Sequence, residues 1–302
     1  MTKISAVVNT LNEEKKIERC LSSLKGFAHE IVVVDMMSTD KTREIAKRFG
    51  AKIYKHKRLG YVEPARNFAI EKAKYDWVFV IDADEEIKND LKTYIKKELK
   101  DPRASFYRIP RKNMIFGKWM KHSGWWPDYN IRLFKKGSVS WNEVIHSVPM
   151  TLGRGFDIPS LENLAIVHRH YQSIEEYLLR MNRYTTIQAR DLNKKGIEFK
   201  WRMLLTKPLS EFLRRYFAED GYKDGLHGLS LSVLQAFSEA ILYLKLWQKQ
   251  RFYKKKIPLG LVLKEKQKID REIKWWFLTS SLSERKPIVE RIWLRIQRKF
   301  LS

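Results

Sequence analysis

Residues 77–86 read Trp-Val-Phe-Val-Ile-Asp-Ala-Asp-Glu-Glu. Five apolar residues, three of them β-branched, run straight into four carboxylates within five positions. The apolar run is what a strand covered on both faces requires. Carboxylates packed this closely repel unless a cation or hydrogen-bond donors intervene. Hard divalent cations take such oxygen ligands, and Mg2+ or Mn2+ shares them with substrate phosphates. A solvated, acidic helix start is the plainer reading, since the helix dipole favours it.

The same grammar repeats on the amino-terminal side. Ile4–Val8 reads as a buried strand and Glu13–Lys25 as a helix. Glu30–Asp35 (EIVVVD) is a second strand, and Asp40–Phe49 a helix with Gly50 at its stop position. Lys52–His56 is a short strand, Glu63–Lys74 a helix, and Leu91–Leu99 a helix before Pro102. Repeated β-α units predict an α/β fold, with a mainly parallel sheet and helices on both faces. Ligands of such sheets bind at the carboxyl ends of the strands. From residue 104 the pattern becomes mixed, with strand-like runs at Ala104–Ile109, Ile131–Phe134 and Leu164–His168. From Ser173 it is helical almost throughout, opened by a Ser173/Glu176 capping box. Helices are expected at about 173–194, 208–219, 227–254, 262–279 and 284–300. The expected organisation is a domain over 1–170, with halves 1–100 and 101–170, followed by a helical, basic region over 171–302.

Charge divides the chain in the same way. The net charge is +25 over 302 residues, yet residues 1–100 carry 21 basic and 16 acidic side chains. The last stretch, 245–302, carries 17 basic and five acidic. An anionic partner is implied: nucleic acid, a phospholipid surface or a phosphorylated substrate. One cysteine, Cys20, excludes an internal disulfide framework and a multi-cysteine zinc site, and it fits a reducing compartment. The amino terminus carries no secretory-leader pattern. The best candidate membrane span, Gly225–Ser238, is interrupted beyond its end by Glu239 and Lys245, short of the ~20 apolar residues a span needs.

Four strand ends offer polar side chains. Thr10 or Asn12 could cap the helix that follows, and so could Asp40. Asp35, closing Ile-Val-Val-Val, needs a donor: a ribose hydroxyl, a base N–H or a backbone amide. Arg66 could fork to a phosphate or carboxylate, or be a solvated helix charge. There is no Gly-x-x-x-x-Gly-Lys-Ser/Thr loop, and no Gly-x-Gly-x-x-Gly after the first strand.

Taken in order, Ala6-Val7-Val8-Asn9-Thr10-Leu11-Asn12-Glu13-Glu14, Val34-Asp35 with Ser38-Thr39-Asp40-Lys41-Thr42, Ala65-Arg66-Asn67 and Asp82-Ala83-Asp84 resemble the family 2 glycosyltransferases. Trp126-Pro127-Asp128, Arg132-Leu133-Phe134, His146, the His168 strand, Arg215-Tyr216-Phe217 and Gly221-Tyr222-Lys223-Asp224-Gly225 resemble the branch that builds lipopolysaccharide core. The resemblance spans about residues 1–245. It implies a GT-A fold, a nucleotide-sugar donor (a UDP-sugar first), Mg2+ or Mn2+, and inverting transfer to a glycan or lipid-linked acceptor of the cell envelope. It places Thr10, Asn12, Glu13 and Asp35 around the nucleoside, Asp82 at the ribose, and Arg66 facing the donor. Asp84 and His146 become metal ligands. Asp128, with Glu143 as the second choice, becomes the general base, and Arg132 reaches the diphosphate. Relatives carry Gly where Met37 stands, and often an acid where Ser147 follows His146.

The carboxyl-terminal half adds two features. Phe116, Trp119, Trp125 and Trp126 interleave with Arg111, Lys112, Lys118 and Lys121, which suits sugars, bases or a lipid headgroup layer. Ile288, Ile292, Ile296 and Phe300 recur every four residues beside Arg291, Arg295 and Arg298. That amphipathic helix either packs on the protein or lies on an anionic membrane, as does the segment around Trp275-Trp276-Phe277. The leading expectation is a peripheral enzyme on the cytoplasmic face of a membrane, with no nucleic-acid partner. A polyprenyl-phosphate glycosyl synthase and a basic nucleic-acid-binding protein are the alternatives.

Overall fold

A computed structural model of the chain describes residues 2–58, 63–141, 149–283 and 288–299. In order, it contains β1 (Ile4–Thr10), α1 (Ile17–Ser23), β2 (Glu30–Asp35), α2 (Thr42–Arg48), β3 (Lys52–Lys55) and α3 (Glu63–Lys72). Next come β4 (Trp77–Asp82), β5 (Glu85–Glu86), α4 (Asn89–Glu98), β6 (Phe106–Ile115), β7 (Lys118–Trp119), β8 (Asp128–Lys135), β9 (Val139–Ser140), β10 (Met150–Thr151), β11 (Gly155–Asp157) and β12 (Ile166–Tyr171). The remainder is helical: α5 (Ile174–Lys194), α6 (Met203–Leu213), α7 (Leu226–Lys249), α8 (Leu259–Ser283) and α9 (Ile288–Lys299). The chain divides into two compact units, residues 1–115 with 126–170, and residues 116–125 with 171–302.

The first unit is built on one mixed sheet of order β3-β2-β1-β4-β8-β6-β12-β5. Strands β3, β2, β1 and β4 are parallel, and β8 then runs antiparallel to both β4 and β6. The expected α/β sheet with flanking helices is therefore present. Strands β1, β2 and β4 are buried along almost their whole length because helices cover both faces. Ile17, Leu21, Leu24, Ile45, Leu91 and Ile95 close one face. Ala65, Ala69 and Ile70 of α3 pack on the other. Each fully buried Val, Leu, Ile or Phe contributes roughly 1.5–3 kcal/mol relative to exposure.

One topological detail creates the site. Strand β5 starts three residues after β4 ends, yet in the sheet the two are separated by β8, β6 and β12. Three residues reach only about 10 Å, so the sheet curls until its far edge returns to β4. Val167 and His168 of β12 pair with Glu86 and Glu85. The acidic run is thus the seam where the curled sheet meets itself.

The second unit is helical, as expected from Ser173 onward. The Ser173 cap forms: the Glu176 amide donates to Ser173 Oγ (3.2 Å), while Glu176 Oε2 accepts from the amide of Gln172, one residue before the cap position (2.8 Å). Residues 116–125 join this unit through Asp224, which accepts from the amides of Lys121 (3.1 Å) and His122 (2.9 Å) and from His122 Nδ1 (3.2 Å). Gly228 at the start of α7 has no room for a side chain, because a Cβ there would lie 1.8 Å from the Gly221 carbonyl oxygen. Helix α7 is long and apolar enough to cross a membrane by length and composition. One face of it, with Leu231, Ser232, Leu242, Tyr243 and Leu246, is buried within the unit. In α9 the isoleucine stripe is not packed away: Ile292 and Ile296 are half exposed, and Leu294 is buried instead.

Candidate active site

Register brings the strand ends together. Asn9 lies beside Asp82, and Thr10 beside Asp35. Asp35 is fully buried and accepts from the Ser38 amide on both oxygens (3.3 and 3.1 Å) and from Thr10 Oγ1 (3.4 Å). Its partner in the protein is thus a backbone amide, with Arg43 Nε 3.7 Å away. Neither Thr10 nor Asn12 caps α1, whose N-cap is Lys16 with no side-chain cap. Asn12 adopts φ +57°; its amide donates to Ser38 Oγ (2.9 Å), and its Oδ1 accepts from the Thr39 amide (2.8 Å). The Glu13 amide donates to Thr42 Oγ1 (2.8 Å), and Asp40 accepts from the Glu14 and Thr42 amides. The loops after β1 and β2 are therefore sewn into one wall. Met37 sits in that wall at φ +65°, half exposed, in a conformation that glycine takes without strain.

The acidic seam is not one cage. Asp82 is clamped from two sides, Oδ1 by Arg66 Nη2 (2.9 Å) and Oδ2 by Arg132 Nη2 (2.7 Å). Burial by itself would raise its pKa, but Arg132 and Arg66 outweigh burial and hold the carboxyl well below the usual range. Glu85 is fully buried and accepts from Arg132 Nη2 (2.6 Å), Arg111 Nη1 (3.4 Å) and the Asp82 amide (3.0 Å). Arg132 is itself only 1% exposed. The arginine expected to reach a diphosphate is instead held inside, where it orients two carboxylates.

Asp84 faces the far edge of the sheet. Its Oδ1 lies 3.7 Å from Nε2 of His168, a buried residue of β12. Nδ1 of His168 is 2.6 Å from Asn113 Oδ1, while Asn113 Nδ2 donates to Asp128 Oδ2 (3.0 Å). With Asn113 so oriented, Nδ1 of His168 is the donor to Asn113 Oδ1, and Nε2 is the ring nitrogen that faces Asp84. Asp128 also accepts from Arg111 Nε (2.9 Å) and Nη2 (2.6 Å) on the same Oδ2, and from Asn130 Nδ2 on Oδ1 (3.0 Å). Burial would raise the Asp128 pKa; Arg111, followed by Asn113 and Asn130, brings it below the ordinary value.

Of the expected site residues, Arg66, Asp82, Arg132, Asp84 and Asp128 thus fall in one chain of contacts, and Thr10, Asn12, Glu13 and Asp35 form the neighbouring wall. Glu143 and His146 lie outside the described residues. Four members of the network, Glu85, Arg111, Asn113 and His168, carried no assigned role. Alternation along β6 is the sequence signal that marks two of them, Arg111 and Asn113, because residues two apart share a face of a strand; Glu85 and His168 lie on β5 and β12.

The sequence profile of Glycosyl transferase family 2 matches residues 5–155 of the chain. The chain belongs to that family. This glycosyltransferase is 34% identical over 257 residues to an uncharacterized glycosyltransferase of Rickettsia typhi, covering 82% of this chain and 87% of the relative. It is 27% identical over 254 residues to the lipopolysaccharide core biosynthesis glycosyltransferase LpsC of Rhizobium meliloti, covering 82% and 92%. Among solved structures it is similar to TarS 1–349 of S. aureus in complex with UDP, at 16% identity and a TM-score of 0.46, over 85% of this chain and 94% of that one. Membership selects the enzyme readings over the nucleic-acid alternative.

Proposed function

We propose that this glycosyltransferase moves a sugar from a UDP-sugar to a hydroxyl of a cell-envelope glycan or lipid-linked acceptor, with inversion and with help from Mg2+ or Mn2+. The observation that carries the reading is the Asp84–His168–Asn113–Asp128 chain, which ties a candidate metal pair to a candidate base. Among the described residues no three His, Cys, Asp or Glu side chains are grouped to hold a metal. Two would serve: Asp84 Oδ1 and His168 Nε2, 3.7 Å apart, would hold the cation and supply one oxygen and one nitrogen ligand. Mg2+ and Mn2+ commonly complete such a pair with substrate phosphates. His168 is thus a candidate ligand in addition to His146, which lies outside the described residues.

A divalent cation, when bound at Asp84 and His168, supplies positive charge for the departing diphosphate. Asp82, clamped by Arg66 and Arg132, presents a fixed carboxylate to a ribose hydroxyl. Asp35 and the loops over 10–14 and 36–42 receive the base. The acceptor oxygen attacks the anomeric carbon from the face opposite the diphosphate, the bond from that carbon to the diphosphate breaks, and Asp128 takes the hydroxyl proton. Arg111 and Asn113 both hold Asp128 Oδ2, so Oδ1 is the atom offered to the acceptor. The clamp keeps Asp128 ionised at neutral pH, at the cost of basicity. Residues 1–170 carry this chemistry, and 171–302 hold the enzyme at the cytoplasmic face of an anionic membrane.

Calorimetric titration with UDP and Mn2+ tests the reading. The wild-type chain is expected to bind UDP in a Mn2+-dependent manner, and Asp84→Ala to lose that dependence with its thermal unfolding unchanged. Absence of binding to any UDP-, GDP- or ADP-sugar by the intact chain would sink the proposal.

A further inference from the structure

Helix α7 has an outer face that the second unit leaves uncovered. Leu226, Leu229, Val233, Phe237 and Leu244 are between 38 and 76% exposed. Between residues 226 and 244 every exposed position of the helix is one of these five. Their spacing of 3, 4, 4 and 7 puts them within about 80° of arc, along about 27 Å of helix. The side chains together expose on the order of 400 Å2, the size at which an apolar patch on a soluble protein marks an interaction site.

The opposite face is built for packing on the protein and not for lipid. Leu231, Leu242 and Leu246 are buried in the unit. Lys245 Nζ is bonded to Asn182 and to the hydroxyls of Thr185 and Thr186 of α5 (2.6–2.8 Å). Glu239 lies near Glu211, Lys207 and Arg214, and burial raises its pKa. A crossing helix would present these groups to lipid. One packed face and one bare apolar face instead describe a helix lying parallel to a surface.

We infer that this stripe is a seat for an anionic phospholipid bilayer, with α7 in the plane of the interface. The inference goes beyond the general membrane association proposed above, because it assigns the apolar contact to a helix that the sequence reading set aside. Charge chooses the occupant. Residues 245–302 carry 17 basic side chains against five acidic. Helix α9 exposes Ile292, Trp293 and Ile296 beside the exposed Arg295 and Lys299. A second copy would set this cationic unit against itself, whereas an anionic lipid face neutralises it.

The test is flotation of the full chain with vesicles of phosphatidylcholine alone or with phosphatidylglycerol, beside light scattering for mass. Wild type is expected to float with the anionic vesicles. Val233→Asp/Phe237→Asp should lower its partitioning by at least about tenfold, with unchanged mass and unchanged UDP binding. A second measurement guards against misfolding of that variant. Val233→Cys, labelled with an environment-sensitive dye while the buried Cys20 stays unmodified, should shift to the blue on anionic vesicles and become shielded from an aqueous quencher. A wild type that stays in solution, a double variant that floats normally, or a dimer that the double variant splits without changing flotation overturns the inference. UDP binding is scored separately, so failure here leaves the donor reading standing, and the reverse.

Discussion

Replacing Arg132 by methionine removes the group that holds the acidic seam together. Arg132 Nη2 donates to Asp82 Oδ2 at 2.7 Å and to Glu85 Oε1 at 2.6 Å, with the arginine 2% and the glutamate 0% exposed at the side chain. Hydrogen bonds to charged groups contribute about 1.5–3 kcal/mol each. Breaking a buried pair by removing one partner costs about 3–5 kcal/mol, because the orphaned charge stays desolvated. In Arg132→Met, Asp82 keeps Arg66 at 2.9 Å, but Glu85 keeps only Arg111 at 3.4 Å and one backbone amide. A loss of about 3–5 kcal/mol is therefore expected, or about 10 °C in the melting of the first unit. Arg132→Met/Glu85→Met removes the orphan as well. It should recover at least about 2 kcal/mol relative to the sum of the single changes. Urea unfolding, with hydrogen exchange at the β4 and β8 amides as a local readout, measures both quantities. A single-variant cost below about 1 kcal/mol, or strict additivity in the cycle, would refute the view that Arg132 is the internal counter-charge of the seam.

Other expectations follow from the same geometry. Asp128→Asn should lose transfer by at least about 100-fold while its UDP affinity stays near wild type; equal loss of both would mean that Asp128 positions the donor instead. Asn113→Ala should act through its neighbours: freeing Nδ1 of His168 and one contact of Asp128 should weaken Mn2+-dependent UDP binding by about 10–100-fold, and a variant with unaltered metal titration would remove Asn113 from the network. Glu30 accepts from Ser5 Oγ (2.7 Å), Lys52 Nζ (2.8 Å) and the Lys74 amide (2.8 Å), and those donors, with the Lys52 charge, outweigh burial to depress its pKa. A depressed carboxyl stabilises the fold above its unfolded value of about 4.3 and loses that contribution as pH falls through the native value. Glu30→Gln should therefore cost about 1–3 kcal/mol at pH 7 and almost nothing near pH 2; a penalty independent of pH would show that the effect is steric.

The parallel half of the sheet was open to sequence reading because local rules and tertiary structure agree there. Val32, Val33 and Val34 have no exposed surface, so the pattern that betrays a strand is the one that packing demands. Gly50 takes φ +70° just past α2, where a helix stop needs it. The loops were harder. Asn12 has the composition of a helix cap, but it bonds Ser38 and Thr39 of the loop after β2; Asp40 bonds the Thr42 amide at the start of α2 and also reaches the Glu14 amide 26 residues away, a pairing that local sequence does not announce. Residues 116–125 likewise follow Asp224, about 100 residues further on, and no local pattern announces that.

The acidic run shows the same limit at the site itself. Asp82, Asp84, Glu85 and Glu86 look alike in sequence, and a cation is the simplest way to reconcile four charges. The curl of the sheet reconciles them differently. It brings Arg132 to Asp82 and Glu85, Arg169 Nη2 to Glu86 at 3.3 Å, and His168 Nε2 to within 3.7 Å of Asp84. Asp82, Glu85 and Glu86 are answered by arginines that arrive from strands 47 to 83 residues downstream. Strand alternation narrows the candidates, since Asp128, Asn130 and Arg132 must share one face of β8. It cannot say that β5 returns to pair with β12. That closure gives each carboxylate of the motif a different neighbour, and if Asp84 holds the cation as proposed, metal-dependent donor binding survives the loss of Glu86 and fails with the loss of Asp84.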